Sequence, residues 1–173
     1  RLRVRDSRIV SQFISVAEDV APRCNSHEAS NILWGLSRLV DSSHVRQQRG
    51  GSDGAQDDED PIILAVSALA TRLTDPAILS RCSAQEAGGA MLALGKMGVR
   101  DTEAFSALSG VIVGKPEGAS ARSIANALWA HEAVNIVPPR AMLNCWANRY
   151  LGIVGLHHGR TGKVGGVDPK QTR

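Results

Sequence analysis

Apolar residues recur every three to four positions along much of this chain, with polar residues between them. This spacing is typical of amphipathic helices, and the segments that carry it fall into two alternating series. The first series covers residues 9–21, 62–73, 102–113 and 140–151, and the second covers 26–40, 84–98 and 121–135. Because the two series alternate, the pattern predicts helical hairpins, each with a helix A followed by a helix B.

The second series contains one segment three times. It reads NSHEASNILWGLSRL at residues 25–39, SAQEAGGAMLALGKM at 83–97 and SARSIANALWAHEAV at 120–134. Trp34, Leu92 and Trp129 are equivalent, so the steps between copies are 58 and 37 residues, and the longer step contains an insertion. A period of about 20–50 residues signals stacked repeats. The sequence therefore predicts an all-α fold, an α-solenoid of about three to four hairpins with a period near 37 residues.

Each copy of helix B begins after a residue that can cap a helix. The caps are Asn25, Ser83 and Ser120, and Glu28, Glu86 and Ser123 follow three positions later. A capping side chain accepts a backbone N–H that the helix leaves unpaired, and the pair Ser83 and Glu86 has the pattern of a full capping box. Gly98 is placed to end the second helix B. Gly88 and Gly89 are expected to let neighbouring helices approach closely.

These boundaries predict how the chain is divided. The parts are a basic N-terminal arm (1–8), repeat 1 (9–46), a disordered acidic insertion (47–60), repeat 2 (61–99), repeat 3 (100–137), a partial repeat or capping helix (138–151) and a glycine-rich basic tail (152–173). So short an array exposes apolar end faces unless something covers them. We therefore expect the chain to be stable mainly inside a larger assembly.

Charge separates the insertion from the rest of the chain. The net charge is +3, but the insertion carries −4, which leaves +7 on the remainder. A basic body favours a polyanionic partner, foremost nucleic acid, although ordinary solubilising charge is the alternative. The longest apolar runs are shorter than the roughly 20 residues that a membrane span needs, so no membrane partner is expected.

Two strings connect the chain to a known family. ASNILWGLSRL and IANALWAHEAV resemble the LANxLWALAxLG pattern of the octotricopeptide and heptatricopeptide repeat proteins, relatives of the FAST-kinase-like and RAP-domain organellar proteins. The resemblance covers roughly residues 9–151. It is weak in the middle copy, where Gly89 and Leu92 replace the asparagine and tryptophan, and His131 stands where the pattern has leucine.

The resemblance implies a non-catalytic RNA-binding α-solenoid in the mitochondrial matrix or, alternatively, in a plastid. A short array with basic, flexible ends is also similar to repeat proteins that are structural constituents of mitochondrial ribosomes. Its expected partners are then ribosomal RNA, bound through phosphates and shape, and neighbouring ribosomal proteins. Two alternatives stay open: a protein–protein scaffold of the HEAT or armadillo type, and a transcript-specific RNA stability or translation factor.

Exposed cations are the candidate RNA contacts. They are Arg1, Arg3, Arg5, Arg23, Arg81, Arg122, Arg160, Lys163 and Lys170. Arg23 and Arg81 recur just before the caps of helix B, so one edge of the stack is expected to present arginines beside helix N-termini. Free N–H groups at such termini favour phosphate, and Arg122 is expected to join them in the third repeat.

Aromatic and amide side chains are weaker candidates. Trp34 and Trp129 could stack on bases, but their position on the apolar side of a central helix predicts packing between helices. Asn31 and Asn126 could bond a base edge, but they are expected instead to satisfy backbone groups of the next repeat.

Signatures of catalysis and of cofactor binding are missing from the sequence. The string GRTGKVGG suggests a phosphate-binding loop, but His157 and Val164 occupy positions where the motif needs glycine and Ser/Thr. No Cys/His spacing suggests zinc. Cys24 and Cys82 are equivalent, with Ala119 in the third copy, and are expected to be small buried packing residues. We expect no enzymatic activity, cofactor, metal or small-molecule substrate.

Overall fold

The computed structural model describes residues 7–39, 60–115 and 118–138, and beyond these residues 140, 143, 144, 146–148 and 151. Over these residues the fold is all-α, as the sequence predicts. The helices are α1 (Ser7–Val20), α2 (Ser26–Leu39), α3 (Pro61–Thr74), α4 (Pro76–Leu79), α5 (Ala84–Met97), α6 (Thr102–Gly114) and α7 (Ala121–Ala133), with a 3₁₀ turn at Ala21–Arg23. The described residues between 140 and 151 are helical as well.

The predicted helices agree with the observed ones to within two residues at either end, apart from the incompletely described last one. Two short elements are missing from the prediction, the 3₁₀ turn and, later in the chain, the single turn α4. The turn α4 forms because Asp75 accepts a hydrogen bond from the backbone N–H of Ala77 at 2.8 Å, directly before Pro76. A capping aspartate followed by proline is a signal for a helix start that the sequence does contain.

The helices pack in two layers. In one layer α1 packs on α3 and α3 on α6, and in the other α2 packs on α5 and α5 on α7. The second layer therefore consists of the three helices that carry the repeated segment. The largest fully buried side chains are Trp146, Phe105, Leu33, Leu36, Leu69, Leu73, Met91, Leu94, Met97, Leu108, Ile112 and Ile124. None of the described helices is both long and apolar enough to cross a membrane.

The helix caps follow the predicted pattern. At α5 the backbone N–H of Ser83 donates to Glu86 at 2.8 Å, while the N–H of Glu86 donates to the Ser83 hydroxyl at 3.2 Å. Asn25 and Glu28 form the same reciprocal pair before α2, with both hydrogen bonds at 2.9 Å. The Ser120 hydroxyl accepts from the backbone N–H that lies three residues further on, at 3.1 Å. Local sequence thus fixes where each of these helices begins.

Two of these helices also end alike. Gly98 adopts a left-handed conformation (φ 71°), and the N–H of the residue after it donates to the Leu94 carbonyl at 3.0 Å. After α7 the left-handed residue is Asn135 (φ 53°), and Ile136 donates to the His131 carbonyl at 3.0 Å. Both turns reverse the chain toward the core at equivalent positions of the repeated segment.

Helices α5 and α7 approach each other closely through glycine. A Cβ atom on Gly88 would lie 2.8 Å from the Ser123 carbonyl oxygen, and one on Gly95 would lie 2.9 Å from the Ala130 Cα. The expectation of close approach is confirmed for Gly88. It is wrong for Gly89, whose Cβ would meet no atom within 4 Å.

Long cationic side chains join successive hairpins on the side where each helix B begins. The Arg72 guanidinium donates to the Cys24 carbonyl at 2.8 Å, and the Lys115 ammonium donates to the Cys82 carbonyl at 2.6 Å. Both cysteines are buried free thiols, as predicted, and Ala119 is buried at the third equivalent position. Burial raises the pKa of Cys82 to about 11 and also raises that of Cys24. Both thiols are therefore protonated near neutral pH.

Candidate nucleic-acid interface

A groove of about 650 Å³ crosses the three helices of the second layer. It is lined by His27, Ser30, Asn31, Trp34, Ser83, Gln85, Glu86, Gly89, Leu92, Ser120, Arg122, Ser123 and Asn126. Most of these residues occupy equivalent positions in the three copies of the repeated segment. Because they are spaced by three and four residues along each helix, they lie on one face of it.

The lining residues form rows that run from helix to helix. The first row is His27, Gln85 and Arg122, the second is Asn31, Gly89 and Asn126, and the third is Trp34 and Leu92, with Trp129 at the corresponding position of α7. In the second and third rows the two outer helices supply asparagines and tryptophans, and the middle helix supplies Gly89 and Leu92. The groove therefore has polar and aromatic walls around a low centre.

Trp34 and Trp129 are half exposed. The prediction that they pack between helices is therefore wrong for Trp34, whereas Trp129 also packs on α5, where its ring lies 3.3 Å from the place of a Cβ on Gly95. The exposed fractions are 50% for Trp34 and 47% for Trp129. Within α2 the buried apolar stripe is carried by Leu33 and Leu36 instead. The Arg38 guanidinium lies 5.5 Å from the centre of the Trp34 ring, within the range of a cation–π interaction.

The neighbours of Trp34 identify its face as polar. Asn31 and Arg38, one turn away on either side, are both exposed, as is His27 at the next turn. The Asn31 amide nitrogen lies 3.0 Å from the His27 Nε2 atom, so the prediction that Asn31 bonds a backbone group is wrong. Asn126, at the equivalent position of α7, is half-buried and lines the groove.

Glu86 joins α5 to α2 in the wall of the groove. Its carboxylate accepts the Ser83 backbone N–H at 2.8 Å and the Ser26 hydroxyl at 3.1 Å, and its second oxygen lies 3.3 Å from the His27 Nδ1 atom. Burial opposes ionisation of this carboxyl. Hydrogen bonds from Ser83 and Ser26 outweigh that effect, so the pKa of Glu86 is lowered. The wall therefore holds a carboxylate whose acceptors are already occupied.

The predicted cations are not brought together into one site. Arg122 is exposed and lines the groove beside the caps of α5 and α7. Arg23 and Arg81 are exposed but lie outside the lining, and Arg23 forms an ion pair with Asp19 at 3.2 Å. The remaining candidates, Arg1, Arg3, Arg5, Arg160, Lys163 and Lys170, lie outside the described residues, as do residues 40–59 of the predicted insertion and its approach.

Comparisons of the chain with protein-family models, with curated proteins and with solved structures found no match. Within the described ranges, no group of three or more His, Cys, Asp and Glu side chains is placed to hold a metal ion. The interpretation of the groove therefore depends on its own residues and on the resemblance in the repeated segment.

Proposed function

We propose that the chain is a short α-solenoid of helical hairpins that binds single-stranded RNA in the groove across α2, α5 and α7, without catalysis. The observation that carries this proposal is the pair of half-exposed tryptophans at equivalent positions of α2 and α7. A large exposed aromatic ring costs solvation unless it has a partner. Trp34 in the groove, with Trp129 at the equivalent position of α7, favours a ligand with stackable rings.

The groove offers the chemistry that a base requires. An aromatic ring gives about 1–3 kcal/mol of stacking with a base of any identity. One helical turn before each tryptophan stands an asparagine, Asn31 or Asn126, whose amide both donates and accepts hydrogen bonds and so matches base edges. Single-stranded RNA is favoured over a duplex because its bases can leave the stack and reach both groups.

Phosphates have partners in the same groove. Arg122 lies beside the N-terminal ends of α5 and α7, whose partial positive charge attracts anions. Arg38 and Lys96 follow at the other end of the exposed face, one turn beyond Trp34 and Leu92. The Glu86 carboxylate limits the positive charge, but one of its oxygens already accepts hydrogen bonds from both Ser83 and Ser26. Together these groups favour a backbone that runs across the helices.

The organellar setting and the role in a mitochondrial ribosome come from the sequence resemblance alone. Crosslinking followed by sequencing of bound RNA separates the candidates. Ribosomal RNA fragments should dominate for a ribosomal constituent, and a single messenger should dominate for a transcript-specific factor. A protein–protein scaffold should give no enrichment of RNA at all.

The binding site is tested with matched substitutions and a labelled single-stranded RNA. Trp34→Leu, Trp129→Leu and Arg122→Gln should each weaken binding about tenfold, the loss of one stacking or charged contact. Arg23→Gln removes another exposed arginine, one outside the groove, and should change the affinity less than twofold. Equal losses for Arg23 and Arg122, or no effect of either tryptophan, would contradict a binding site in the groove.

A further inference from the structure

The last helix of the second layer leaves an apolar position uncovered. Leu128 of α7 is equivalent to Leu33 of α2 and Met91 of α5, both of which are fully buried, yet 39% of Leu128 is exposed. Ala125 and Glu132, on the same side of α7, are exposed as well. We call Ala125, Leu128 and Glu132 the trailing face of α7. This face is thus more exposed than the equivalent side of α5, where Met91 is fully buried.

On the other two helices of the second layer, the side equivalent to this trailing face packs on the helix that follows, and we use the same term for it. The trailing face of α5 includes Gly88 and Gly95, which contact Ser123 and Ala130 on the opposite side of α7. We call that opposite side the leading face. On α5 the leading face includes Glu86, which bonds to α2. One geometry of contact is thus used twice within the chain.

The first helix of the second layer has an open leading face. The residues of α2 equivalent to Ser123 and Ala130 are Glu28 and Gly35, with Ile32 between them. Glu28 is exposed and Ile32 only half-buried, whereas both counterparts of Ile32, the alanines at positions 90 and 127, are fully buried. The open face is therefore a partly apolar surface of the kind that a trailing face covers.

Helix α1 covers one end of this face and widens its open part. Phe13 lies 3.5 Å from the place where a Cβ on Gly35 would stand, so α1 packs on the leading face at Gly35 and leaves the part around Glu28 and Ile32 open. Ile9 and Val16 are exposed and lie on the same side of α1 as Phe13, because they are four and three residues away from it. The molecule thus has apolar open faces at both ends of the second layer.

The charges at the two ends of the second layer would pair if a second copy continued the packing seen between α2 and α5. Inside the chain, His27 of α2 lies 3.3 Å from Glu86 of α5. The residue equivalent to His27 on α7 is Arg122, and the residue equivalent to Glu86 on α2 is Glu28. Stacking one chain on another in this register brings Arg122 of one copy to Glu28 of the next, and arginine is charged at every physiological pH.

We propose that copies of this chain associate head to tail. The trailing face of α7 in one copy packs on the leading face of α2 in the next, as α5 packs on α7 within the chain. Such a contact is heterologous and leaves one open face at each end of the assembly, so it continues beyond a dimer. Leu128 and Ile32 do not line the groove, so substitutions there test association without changing the proposed RNA site, whereas Arg122 belongs to both surfaces.

Blocking one end at a time tests the proposal. Sedimentation of nuclease-treated protein between about 1 and 100 μM should show a weight-average mass that rises above the 18.4 kDa of one chain. Leu128→Arg closes the trailing face and Ile32→Arg closes the leading face, so each variant alone should stay monomeric. Their equimolar mixture should form a dimer, because the open trailing face of the Ile32→Arg copy packs on the open leading face of the Leu128→Arg copy. The dimer should not grow, because both of its end faces are blocked.

Ile63→Arg is the matched control. Ile63 of α3 is exposed to the same fraction as Leu128, 39%, but lies in the other layer against Arg100 and Asp101. This variant should associate like the unaltered chain. Arg122→Glu is a second, milder way to weaken the contact between copies, and it leaves the Ser120 cap of α7 intact. It should weaken association about tenfold, as expected for reversing one interfacial charge, and Glu28→Arg in the partner copy should restore it. Because Glu28→Arg removes the hydrogen bond from the Asn25 N–H, this variant is first checked for an intact fold.

Several results would overturn the proposal. A mass that stays at one chain over the whole range would exclude association of copies. A single-end variant that still dimerises alone would indicate a two-fold symmetric contact instead. Association that appears only after residues 152–173 are removed would mean that the chain's own tail covers the face. Circular dichroism of each variant checks that loss of association is not loss of the fold.

Discussion

At the scale of single residues, glycines set the distance between α5 and α7. Gly88 and Gly95 lie seven positions apart on one side of α5, and each faces a backbone atom of α7 at a distance that leaves no room for a methyl group. Gly89 stands beside Gly88 in the sequence but in the groove, where its position is open. Neighbouring glycines thus have opposite structural roles.

This difference predicts opposite effects of the same substitution. Gly88→Ala should lower the free energy of unfolding by about 1–3 kcal/mol, since the new methyl group meets the Ser123 backbone and forces α7 away. Gly89→Ala should raise it by up to about 1 kcal/mol, because alanine is the better helix former and meets nothing. Chemical denaturation of both variants measures the two changes. Equal destabilisation by both would contradict the close packing of α5 on α7.

His131 is the buried titratable residue that the family pattern does not anticipate. It lies between the rings of Phe105 and Trp146, its Nδ1 atom donates to the Ile136 carbonyl at 3.0 Å, and its Nε2 atom lies 3.0 Å from the Ser109 hydroxyl. A nitrogen that faces a carbonyl carries the proton, so in the neutral ring the other nitrogen accepts from the serine. The site therefore suits the uncharged ring.

Acid should destabilise the fold through His131. Burial lowers the pKa of His131 below the ordinary value of 6.5, although the bond to Ile136 opposes this effect. Between the two values the unfolded chain binds more protons than the folded one, so stability decreases as the pH falls below about 6.5. Urea unfolding of the chain and of His131→Gln at pH 7.5 and 5.5 tests this. The variant should lose less stability than the parent chain over that interval.

At the scale of elements, most of the helices could be predicted because their signals are local. Asp60, Ser83, Asp101 and Ser120 each cap the helix that follows them, and the hydrogen bonds span only two or three residues. The prediction for Trp34 fails for a different reason. An aromatic ring next to Leu33 favours a place in the apolar stripe, whereas the exposed polar residues one turn away indicate the opposite face. Position along the helix, rather than hydrophobicity, decides where this ring lies.

The ends of α5 and α7 make a separate prediction about turns. Asn135 holds the left-handed conformation that Gly98 holds in the preceding copy, and a side chain makes that conformation costly. Asn135→Gly should therefore raise the thermal midpoint slightly, whereas Gly98→Ala should lower the stability by about 1 kcal/mol or more. Gly110→Ala is the control, because Gly110 lies within α6 in open space and the alanine should stabilise. A stabilising Gly98→Ala would contradict the described turn.

At the scale of the whole molecule, the groove could not be read from the sequence because its wall joins distant residues. Ser26 and Glu86, which bond across it, are 60 positions apart, and the repeated segment gives equivalent positions without saying which of them meet. The arginine edge that the sequence suggested is divided in the structure. Arg122 belongs to the groove, whereas Arg23 is engaged with Asp19 outside it.

The salt dependence of RNA binding measures how phosphate contacts are shared between the groove and the chain ends. Each phosphate contact with single-stranded RNA contributes about −0.7 to the slope of log K against log salt concentration. Replacing Arg38, Lys96 and Arg122 together by glutamine should therefore make the slope shallower by about 2. Removing residues 152–173 deletes four cations and should reduce the slope further if that segment follows the RNA. Since the two changes affect different charges, their effects should add. If the triple substitution leaves the slope unchanged, the phosphates are bound by the ends of the chain. The groove would then contact only the bases.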